Sequence, residues 1–502
     1  MIQPIRSRQN NSPHHRLMLA LFVVTILSRL PFASQYLYHW DSVNMAFGLR
    51  QFDVLAGAPQ FPGYIVYIAL GQLVNALAND PQTTMVVISI LSSGLAVAAL
   101  YALGRDLFHP TTGLIAALFL MTSPLVWFYG EIALPHTLDL CGVIVAVWLL
   151  HRIRNGDTGW HFWLTAIFLA LLTGFRQQNI LFLGPLALFA LYRIGIRKWV
   201  AFGLLFGLVC LTWFIPLMQN TGGLQIYLAG SSAYSASFFN TTSIFHGAGT
   251  AGLQRNIVAK LIPYTLFAAS LALLPALFYW GIQLPRRWRR WLLSRRAWFI
   301  ILWVTPALLF YGLIHMGQQG LIFVYLPALL LLSAEGLRRL LENRVPYLKG
   351  AAAVIALTSA TVFIVGPASI GNTRLLTYHT IREHDQQLAD QIEATRSHFS
   401  PDNTLLLSSN WRYFEYYLPA YHIPRLPLDS DKPLPLDQFI NGHYETLDSA
   451  PVDLKQQANW QVILMEPQLR LEPDMAAETI ITDAGTPIRY FSLTPDLILA
   501  AR

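Results

Sequence analysis

Charged residues are scarce in this chain of 502 residues: they make up 12% of it, whereas hydrophobic residues make up 54%. In soluble globular proteins about a quarter of the residues are charged. The composition therefore excludes a soluble enzyme and indicates an integral membrane protein. The only two cysteines, Cys141 and Cys210, lie inside apolar runs, so no disulfide or metal framework is predicted from them.

Signatures of nucleotide and nucleic-acid binding are also missing. The sequence has no Gly-rich phosphate loop and no internal repeat. The net charge is +7, but the basic residues lie in short loops between apolar runs, where they act as topology signals. Residues 1–366 hold 24 Lys and Arg against 9 Asp and Glu, whereas residues 367–502 hold 10 against 18. A basic, apolar part is thus followed by an acidic tail.

Eleven apolar runs are predicted to cross a bilayer, which requires roughly 17 to 25 residues each. The first extends from Leu17 to about Ala33 and contains Arg29; because it lacks a clean cleavage site, we interpret it as an uncleaved span rather than a signal peptide. The other runs lie at about 84–104, 113–130, 133–151, 160–175, 179–193, 199–218, 257–282, 297–316, 320–337 and 350–367.

The shorter apolar stretch 63–78 is assigned by charge. If it does not cross, 19 Lys and Arg fall on the side of the N-terminus and five on the other side. If it crossed, the basic loops would face outward, against the positive-inside rule. We therefore predict a re-entrant or surface-lying helix there. The predicted parts are a cytoplasmic N-terminus (1–16), a transmembrane module (17–367) with an outer loop at 34–83, and an extracytoplasmic domain (368–502).

Two other segments are predicted outside the membrane. The interval 219–256 is rich in Gly, Ser, Thr and aromatic residues and is predicted to be a long outer loop with a functional role. In the tail, helical patterns at 380–398 and 411–421 alternate with strand-like patterns at 404–409 and 460–466, and a final strand pair is expected around TIITDA and IRYFSL. This alternation predicts a small α/β domain.

The loop after the first apolar run carries the main catalytic candidate. Asp41 follows a cluster of aromatic residues, and a partly desolvated carboxylate there suits a general base or a ligand of a divalent ion. The alternative is a helix N-cap, because a helix-compatible run follows it. Glu131, at the predicted outer end of the third span, is a second candidate on the same face of the bilayer; its alternative is an ordinary interfacial carboxylate.

The remaining candidates are substrate-binding residues predicted at the outer face. Arg50 could contact a phosphate, or pair with Asp53 three residues further along a helix. Arg176 suits a lipid-linked phosphate, or snorkels to lipid headgroups. The other candidates are Tyr64, His136, Asp139, Arg255, Lys260, His315, Gln318 and Gln319.

The pattern resembles the GT-C glycosyltransferases, most of all bacterial relatives of the protein mannosyltransferases and of the lipid A aminoarabinose transferase. The resemblance rests on Asp41 just past the first span, on Pro62-Gly63-Tyr64, on an SPL-aromatic-YG-acid segment that ends at Glu131, and on the acidic tail. It covers roughly residues 17–340. In those families an outer-loop Asp is the catalytic carboxylate, which corresponds to Asp41, and a second acid falls on Glu131 or, less well, on Asp139.

Two positions depart from the pattern of that family. Many relatives carry an acidic pair at the first site and Lys-Pro-Pro or His-Pro-Pro-Gly-Tyr later in the loop. Here the first pair is Asp41-Ser42 and the later motif is Gln60-Phe61-Pro62-Gly63-Tyr64. The missing second acid weakens a metal site built from two carboxylates. The missing Lys or His leaves the contacts to the donor phosphate to other residues, such as Arg50 or Arg176.

The resemblance implies an α-helical polytopic membrane protein of GT-C type, a glycosyltransferase of the cell membrane. It implies a polyprenyl-phosphate-linked sugar donor, and an acceptor glycan, lipid or protein on the outer face, with Asp41 as the base. No cofactor is certain; a divalent cation, Mg²⁺ or Mn²⁺, stays open. The alternatives are a transporter or flippase, and a scaffold that binds envelope partners. If the protein is a transferase, its polar residues should cluster at one face of the membrane, whereas in a carrier they should lie at mid-membrane.

Overall fold

The computed structural model of the protein describes residues 12–371, 373–424, 434–435, 460–466, 469–472, 478–482, 485, 487–492 and 498–501. The predicted cytoplasmic N-terminus (1–16) therefore lies largely outside the described residues. Contacts within the chain divide it into two compact units. The first unit comprises residues up to 34 and residues 44–380, and the second comprises residues 35–43 and 381–502.

The first unit is helical almost throughout. A π-helical segment (Gln254–Leu261) and short 3₁₀ segments (Leu30–Phe32, Ser270–Leu273 and Gln319–Val324) link some of the helices. The helices are α1 (Ser12–Arg29), α2 (Trp40–Arg50), α3 (Ile65–Ala78), α4 (Pro81–Leu107), α5 (Pro110–Thr122), α6 (Pro124–Glu131), α7 (His136–Arg154), α8 (Trp160–Phe175), α9 (Asn179–Leu191), α10 (Ile196–Asn220), α11 (Leu224–Thr242), α12 (Gly249–Leu253), α13 (Ile262–Ala269), α14 (Leu274–Leu292), α15 (Arg295–Leu313), α16 (Leu326–Leu340) and α17 (Val345–Val365).

Seven helical segments in the described part of the chain are long and apolar enough to cross a membrane, or eight if the bent pair α5–α6 is one span. They are Pro13–Phe32, α4, α7, α10, Gly249–Arg286, α15 and α17, and the shorter apolar helices are α3, α8 and α9. The predicted class, an α-helical multi-pass membrane protein, is confirmed. The number of eleven spans stays a prediction.

Helix α4 forms the centre of the first unit. It packs against α1, α5 and α7, and most of its residues are buried. Small residues permit the close contact with α5: a Cβ atom on Gly104 would lie 2.6 Å from the Cα of Gly113. Such small-residue contacts are a common way for helices to approach each other in membranes.

The apolar run 113–130, predicted as one helix, is broken. Helices α5 and α6 meet at an angle of 58°. Pro124 has no N–H to continue the hydrogen bonds of α5, and the Ser123 hydroxyl accepts the N–H of Val126 at 3.4 Å to begin α6. The same hydroxyl donates to the carbonyl of Ala268 at 2.6 Å, which fixes the corner against α13.

The interval 219–256 is also not the long loop that its composition predicted. Most of it forms helices α11 and α12. Gly222 and Gly223 have φ values of +76° and +113°, which separate α10 from α11. Ser and Ala are tolerated within a helix, and here they continue α11 to Thr242.

Helix α3 occupies the stretch predicted to be re-entrant or surface-lying. Its 14 residues give a length of about 21 Å, short of a hydrocarbon core of about 30 Å. Tyr67, Ile68 and Gly71 are buried, whereas Leu73 and Leu77 are 73% and 88% exposed. This apolar outer face suits contact with lipid.

After the hairpin of β1 (Ser369–Ile370) and β2 (Thr373–Arg374), the chain forms α18 (Tyr378–His398) and the elements of the second unit. These are β3 (Thr404–Leu407), α19 (Trp411–Tyr417), β4 (Leu434–Pro435), β5 (Gln461–Leu464), β6 (Leu469–Glu472), β7 (Glu478–Ile481), β8 (Pro487–Ser492) and β9 (Ile498–Ala501).

A four-stranded sheet organises the second unit. Its order is β3-β5-β8-β7, with β3 and β5 parallel and the other pairs antiparallel, and Thr404 lies opposite Gln461. A second sheet has the order β4-β9-β6. The predicted helix at 380–398, the strands near 404 and 460, and the final strand pair are confirmed, so the tail is an α/β domain.

Candidate functional site

A buried ion pair joins the start of α7 to the turn between α8 and α9. Arg176 Nη1 donates to Asp139 Oδ2 at 3.0 Å, and Asn179 Nδ2 donates to Asp139 Oδ1 at 2.7 Å. Asp139 is 3% exposed and Arg176 6%. The structure thus brings two predicted binding residues together. Because each neutralises the charge of the other, neither offers an uncompensated charge to a substrate.

The surroundings keep Arg176 charged. Burial by itself lowers the pKa of the guanidinium, but the carboxylate of Asp139, which also accepts a hydrogen bond from Arg176, outweighs burial, so this pKa is raised. Arg176 is therefore not a lipid-facing snorkelling residue but part of the interior of the first unit.

Tyr64 is held by the Pro62-Gly63-Tyr64 turn. Gly63 has a φ of +99°, and a Cβ there would lie 3.0 Å from side-chain carbons of Val54 and Leu217. Tyr64 itself adopts a left-handed conformation at the start of α3, with a φ of 42°. Residues with bulky side chains rarely adopt the left-handed region of backbone conformation unless the surrounding structure imposes it. The Tyr227 hydroxyl donates to the carbonyl of Pro62 at 3.2 Å and fixes the turn.

The predicted helical pair of Arg50 and Asp53 is wrong. Helix α2 ends at Arg50, so Asp53 lies outside it. The Asp53 Oδ1 atom instead accepts the backbone N–H groups of Leu55 at 3.0 Å and Ala56 at 3.1 Å. Asp53 therefore stabilises a turn, which is a common use of aspartate after a helix. The binding roles of Arg50 and Asp53 stay predictions.

The loop between α15 and the 3₁₀ segment before α16 collects several candidates. His136 Nε2 and Gln318 Oε1 are 2.6 Å apart, and the Tyr129 hydroxyl donates to Gln319 Oε1 at 3.3 Å. Gly320 allows this contact, because a Cβ there would lie 2.5 Å from the His136 ring. His136 and Gln318, predicted separately as binding residues, are thus direct partners.

Two cations of the π-helical segment hold the same loop. Arg255 Nη1 donates to the carbonyl of Met316 at 3.2 Å, and Lys260 Nζ donates to the carbonyl of Gly317 at 3.2 Å. Within the described residues, neither side chain has a carboxylate within 4.0 Å. Arg255 and Lys260, called the cation pair below, are therefore half-buried charges that no acidic residue of the described chain compensates.

Burial and the neighbouring cation pair together keep His315 neutral. Burial first, and then Arg255 and Lys260, lower the pKa of His315 to about 4. Its Nδ1 atom lies 3.2 Å from the Thr242 hydroxyl. His315 is therefore neutral near pH 7 and can only hydrogen-bond, whereas the two neighbouring cations supply the charge needed to attract an anion.

Glu131 is not the interfacial carboxylate of the alternative interpretation. It is 0% exposed, and its Oε1 atom lies 3.9 Å from the Nε of Arg29, which is also 0% exposed. The Arg29 guanidinium donates to the carbonyl of Met121 at 2.6 Å and lies 4.1 Å from the ring centre of Trp127. A structural pair between α1 and α6 explains these contacts. A catalytic role for Glu131 stays a prediction.

Glu131→Gln separates these two roles. Removing the carboxylate leaves the Arg29 charge buried without compensation, which costs roughly 3–5 kcal/mol. We expect a large drop in thermal stability of the purified protein and near-normal transfer per folded molecule, with Glu342→Gln, an exposed carboxylate, as the control. A stable variant that has lost transfer would support the catalytic role instead.

Asp41 belongs to the second unit, which includes the first four residues of α2, residues 40–43. Helix α2 begins at Trp40, so Asp41 lies in the first turn and the predicted N-cap alternative is wrong. His39 takes that position: its Nδ1 accepts the N–H of Asp41 at 3.0 Å, and its carbonyl accepts the N–H of Ser42 at 2.8 Å. The Asp41 side chain is 26% exposed, and its Oδ2 atom lies 3.9 Å from His39 Nδ1. A solvent-accessible carboxylate at a helix start can accept a proton.

The segment that carries Asp41 is bound by its backbone to the α/β part of the same unit. Asp385 accepts the N–H groups of Gln35 at 2.7 Å and Tyr36 at 3.3 Å. The Tyr417 hydroxyl accepts the N–H of Leu37 at 2.8 Å. The Tyr413 hydroxyl donates to the carbonyl of Tyr38 at 3.0 Å, and Trp40 packs edge-on against Trp411.

Asp385 and Tyr417 were missed by the sequence analysis. They lie about 350 and 380 residues after the backbone groups that they bind. No local pattern marks them, since Asp385 resembles any other polar residue of an exposed helix. The aromatic sequence WRYFEYY was the only signal available, and it predicts a packing surface without naming a partner.

A metal site is not evident either. Among the described residues, no group of three or more His, Cys, Asp or Glu side chains is placed to hold a metal ion. His39 Nδ1 lies 3.9 Å from the Asp41 carboxylate. One imidazole and one carboxylate do not fit a divalent cation held by protein ligands alone.

Comparisons with known proteins agree with the fold. The family model for dolichyl-phosphate-mannose-protein mannosyltransferases matches residues 62–219. ArnT of Cupriavidus metallidurans in the apo state has a TM-score of 0.58 at 12% identity, covering 98% of this chain and 99% of its own. ArnT bound to undecaprenyl phosphate gives 0.56 at 12% identity, with 96% and 98% covered.

A more distant similarity is to an oligosaccharyltransferase of Archaeoglobus fulgidus in complex with Zn and sulfate. Its TM-score is 0.51 at 13% identity, and the match covers 89% of this chain and 67% of that one. No curated protein sequence matches the chain. The structure thus defines a polytopic membrane protein with a helical module and an α/β domain. Its fold is similar to that of the ArnT structures, and residues 62–219 match the mannosyltransferase family model, in agreement with the resemblance that the sequence predicted.

Proposed function

We propose that this protein is a membrane-bound glycosyltransferase that moves a sugar from a polyprenyl phosphate to an acceptor on the extracytoplasmic side of the cell membrane. The fold supports this class along nearly the whole chain. One of the similar ArnT structures is bound to undecaprenyl phosphate. The observation that carries the proposal is the cation pair, because a half-buried, uncompensated charge is costly unless an anion meets it.

The cation pair would hold the donor phosphate. Arg255 and Lys260 are fixed by the carbonyls of Met316 and Gly317, which position the two charges without neutralising them. Arg176 suits this role less well, because Asp139 already binds it at 3.0 Å. A polyprenyl phosphate needs no nucleotide site, which agrees with the absence of a Gly-rich loop from the sequence.

Asp41 would act as the general base. It removes the proton from an acceptor hydroxyl while that oxygen attacks the anomeric carbon of the sugar. The bond between this carbon and the phosphate oxygen breaks, and the polyprenyl phosphate leaves with the electron pair. A cationic site would stabilise the charge of the leaving phosphate. Attack from the face opposite the leaving group predicts inversion at the anomeric carbon.

The distribution of polar residues favours a transferase over a transporter. In the first unit, four of the binding candidates lie at helix ends: His136 and Asp139 begin α7, Arg176 follows α8, and Gln318 lies in the loop after α15. A carrier would place its ionisable residues midway along the spans. A membrane topology with this cluster and the α/β domain outside, and a cytoplasmic N-terminus, is part of the proposal.

The test is transfer from a panel of labelled polyprenyl-phosphate sugars in membranes that contain the full chain. We expect one sugar to label a glycan, lipid or protein acceptor, with release of polyprenyl phosphate in equal amount. Membranes with Asp41→Asn provide the control. If the only labelled species is unreacted donor that has moved to the inner side of the vesicles, the protein is a flippase instead.

The segment that carries Asp41 gives a more specific prediction. The double variant Asp385→Ala/Tyr417→Phe removes three hydrogen bonds to residues 35–37 and should displace Asp41. A displacement of about 1 Å can cost roughly 100-fold in rate. We expect kcat to fall at least tenfold with little change in the KM for the donor.

Tyr421→Phe is the matched control, because it also removes a tyrosine hydroxyl that is hydrogen-bonded to backbone of the same unit. The Tyr421 hydroxyl donates to the carbonyls of Phe399 at 2.8 Å and Thr395 at 3.2 Å. Equal losses of kcat in the double variant Asp385→Ala/Tyr417→Phe and in Tyr421→Phe would indicate general destabilisation rather than positioning of Asp41.

A further inference from the structure

A cavity with a mixed lining lies at the other end of the helical unit, where the basic loops are. It has a volume of about 280 Å³ and is bounded by the end of α14, the start of α15 and the end of α16. None of the binding candidates described above lines it. The volume is just below the range of pockets for drug-sized ligands, about 300–1,000 Å³, and suits a polar head group rather than a whole lipid.

The lining combines cations with aromatic and aliphatic surface. Arg290 and Arg296 contribute the positive charge, and Trp280, Leu284 and Ile300 contribute apolar walls. Arg296 lies 5.2 Å from the ring centre of Phe108, which holds its side chain at the rim. The Trp280 indole donates to the carbonyl of Leu332 at 3.0 Å, so this wall is fixed in place.

The positive charge of the cavity is not cancelled by the acidic residue in its lining. Glu335 is nearly buried and already accepts from Arg338, Arg339 and Thr112. Within the described residues, neither Arg290 nor Arg296 has a carboxylate within 4.0 Å. The cavity is therefore electropositive at its polar end and apolar along its walls.

We propose that this cavity binds the head group of an anionic glycerophospholipid. Arg290 and Arg296 would contact the phosphate, and the acyl chains would leave along Leu284 and Ile300 toward the exposed apolar surface of α14, where Leu277 and Phe278 are 66% and 62% exposed. An amphiphile with one negative head and apolar chains fits both parts of the lining, whereas a free anion fits only one. This inference does not depend on the proposed glycosyl transfer.

The test measures binding of defined lipids to the purified full chain in neutral detergent by native mass spectrometry. Dioleoylphosphatidylglycerol should be retained, and dioleoylphosphatidylcholine, with the same chains, should not. In Arg290→Gln/Arg296→Gln the affinity for phosphatidylglycerol should fall about 25-fold, from two losses of about fivefold each. Inorganic phosphate at millimolar concentration should not displace the lipid.

The matched control is Arg286→Gln/Arg289→Gln, which removes two exposed arginines of α14 that do not line the cavity. We expect the affinity of this control variant for phosphatidylglycerol to change less than about threefold. Gln283→Glu, which adds a negative charge to the lining at constant size, should weaken phosphatidylglycerol binding even if the arginine variant proves unstable. Equal retention of the two lipids, equal losses in both arginine variants, or displacement by inorganic phosphate would overturn the proposal.

Discussion

Asp41→Asn is expected to lower sugar transfer at least 100-fold. The amide cannot accept the acceptor proton, and general base catalysis is typically worth a factor of about 100 to 10,000. The substitution preserves size, and the backbone N–H of Asp41 still donates to His39 Nδ1, so the start of α2 should persist. The measurement is the initial rate of label transfer at saturating donor, together with thermal stability and membrane content of the variant.

Asp402→Asn provides the comparison for that result. Asp402 is an exposed carboxylate of the same unit, in the 3₁₀ turn Pro401–Asn403 before β3. Its substitution should leave the rate within about twofold. Near-normal transfer by Asp41→Asn, at normal membrane content, would remove Asp41 from the mechanism and leave the fold assignment untouched.

The second large effect is expected at the cation pair. Arg255→Gln/Lys260→Gln should raise the KM for the donor and lower kcat/KM by roughly 100-fold, because each charge-assisted contact to a phosphate contributes on the order of 1.5–3 kcal/mol. Inhibition by polyprenyl phosphate without sugar should weaken in parallel, since the same phosphate is bound. Lys260→Arg, which keeps the charge, should retain more activity than Lys260→Gln.

Lys349→Gln is the control for the loss of a cation, because Lys349 is exposed in the first turns of α17. A loss of kcat/KM without weaker inhibition by polyprenyl phosphate would show that the cation pair supports the loop at Met316 and Gly317 rather than the phosphate. Weaker binding of the phosphate can be distinguished from a disturbed loop because the inhibitor carries the phosphate but neither the sugar nor the acceptor.

Hydropathy and charge were sufficient to predict the fold class. Long apolar runs predict membrane spans, and the change of charge near residue 367 lies close to the boundary between the two units at residues 380 and 381. Two predictions of secondary structure were wrong because single residues determine the local backbone. Pro124 breaks the run 113–130, which was predicted as one helix, and Gly222 and Gly223 precede a helix in an interval that was predicted as a loop.

The candidate site was predictable as a list of residues but not as a set of partners. Arg29 and Glu131 are 102 positions apart, and Asp139 and Arg176 are 37 apart. Neither spacing corresponds to a helical or strand repeat, so the pairs become visible only when the helices are packed. The sequence does show Arg29 inside an apolar run, and a charge buried there predicts that a partner exists elsewhere in the chain.

The assignment of residues 35–43 to the α/β unit has a consequence for biogenesis. The ribosome completes the segment that carries Asp41 early, but Asp385, Tyr413 and Tyr417 are synthesised more than 340 residues later. Until the tail has emerged and folded, the peptide groups of Gln35, Tyr36 and Leu37 lack the partners that hold them in the finished molecule. The segment around Asp41 is therefore the last part of this protein to be assembled. Insertion of the helices comes before this step and is not sufficient for it.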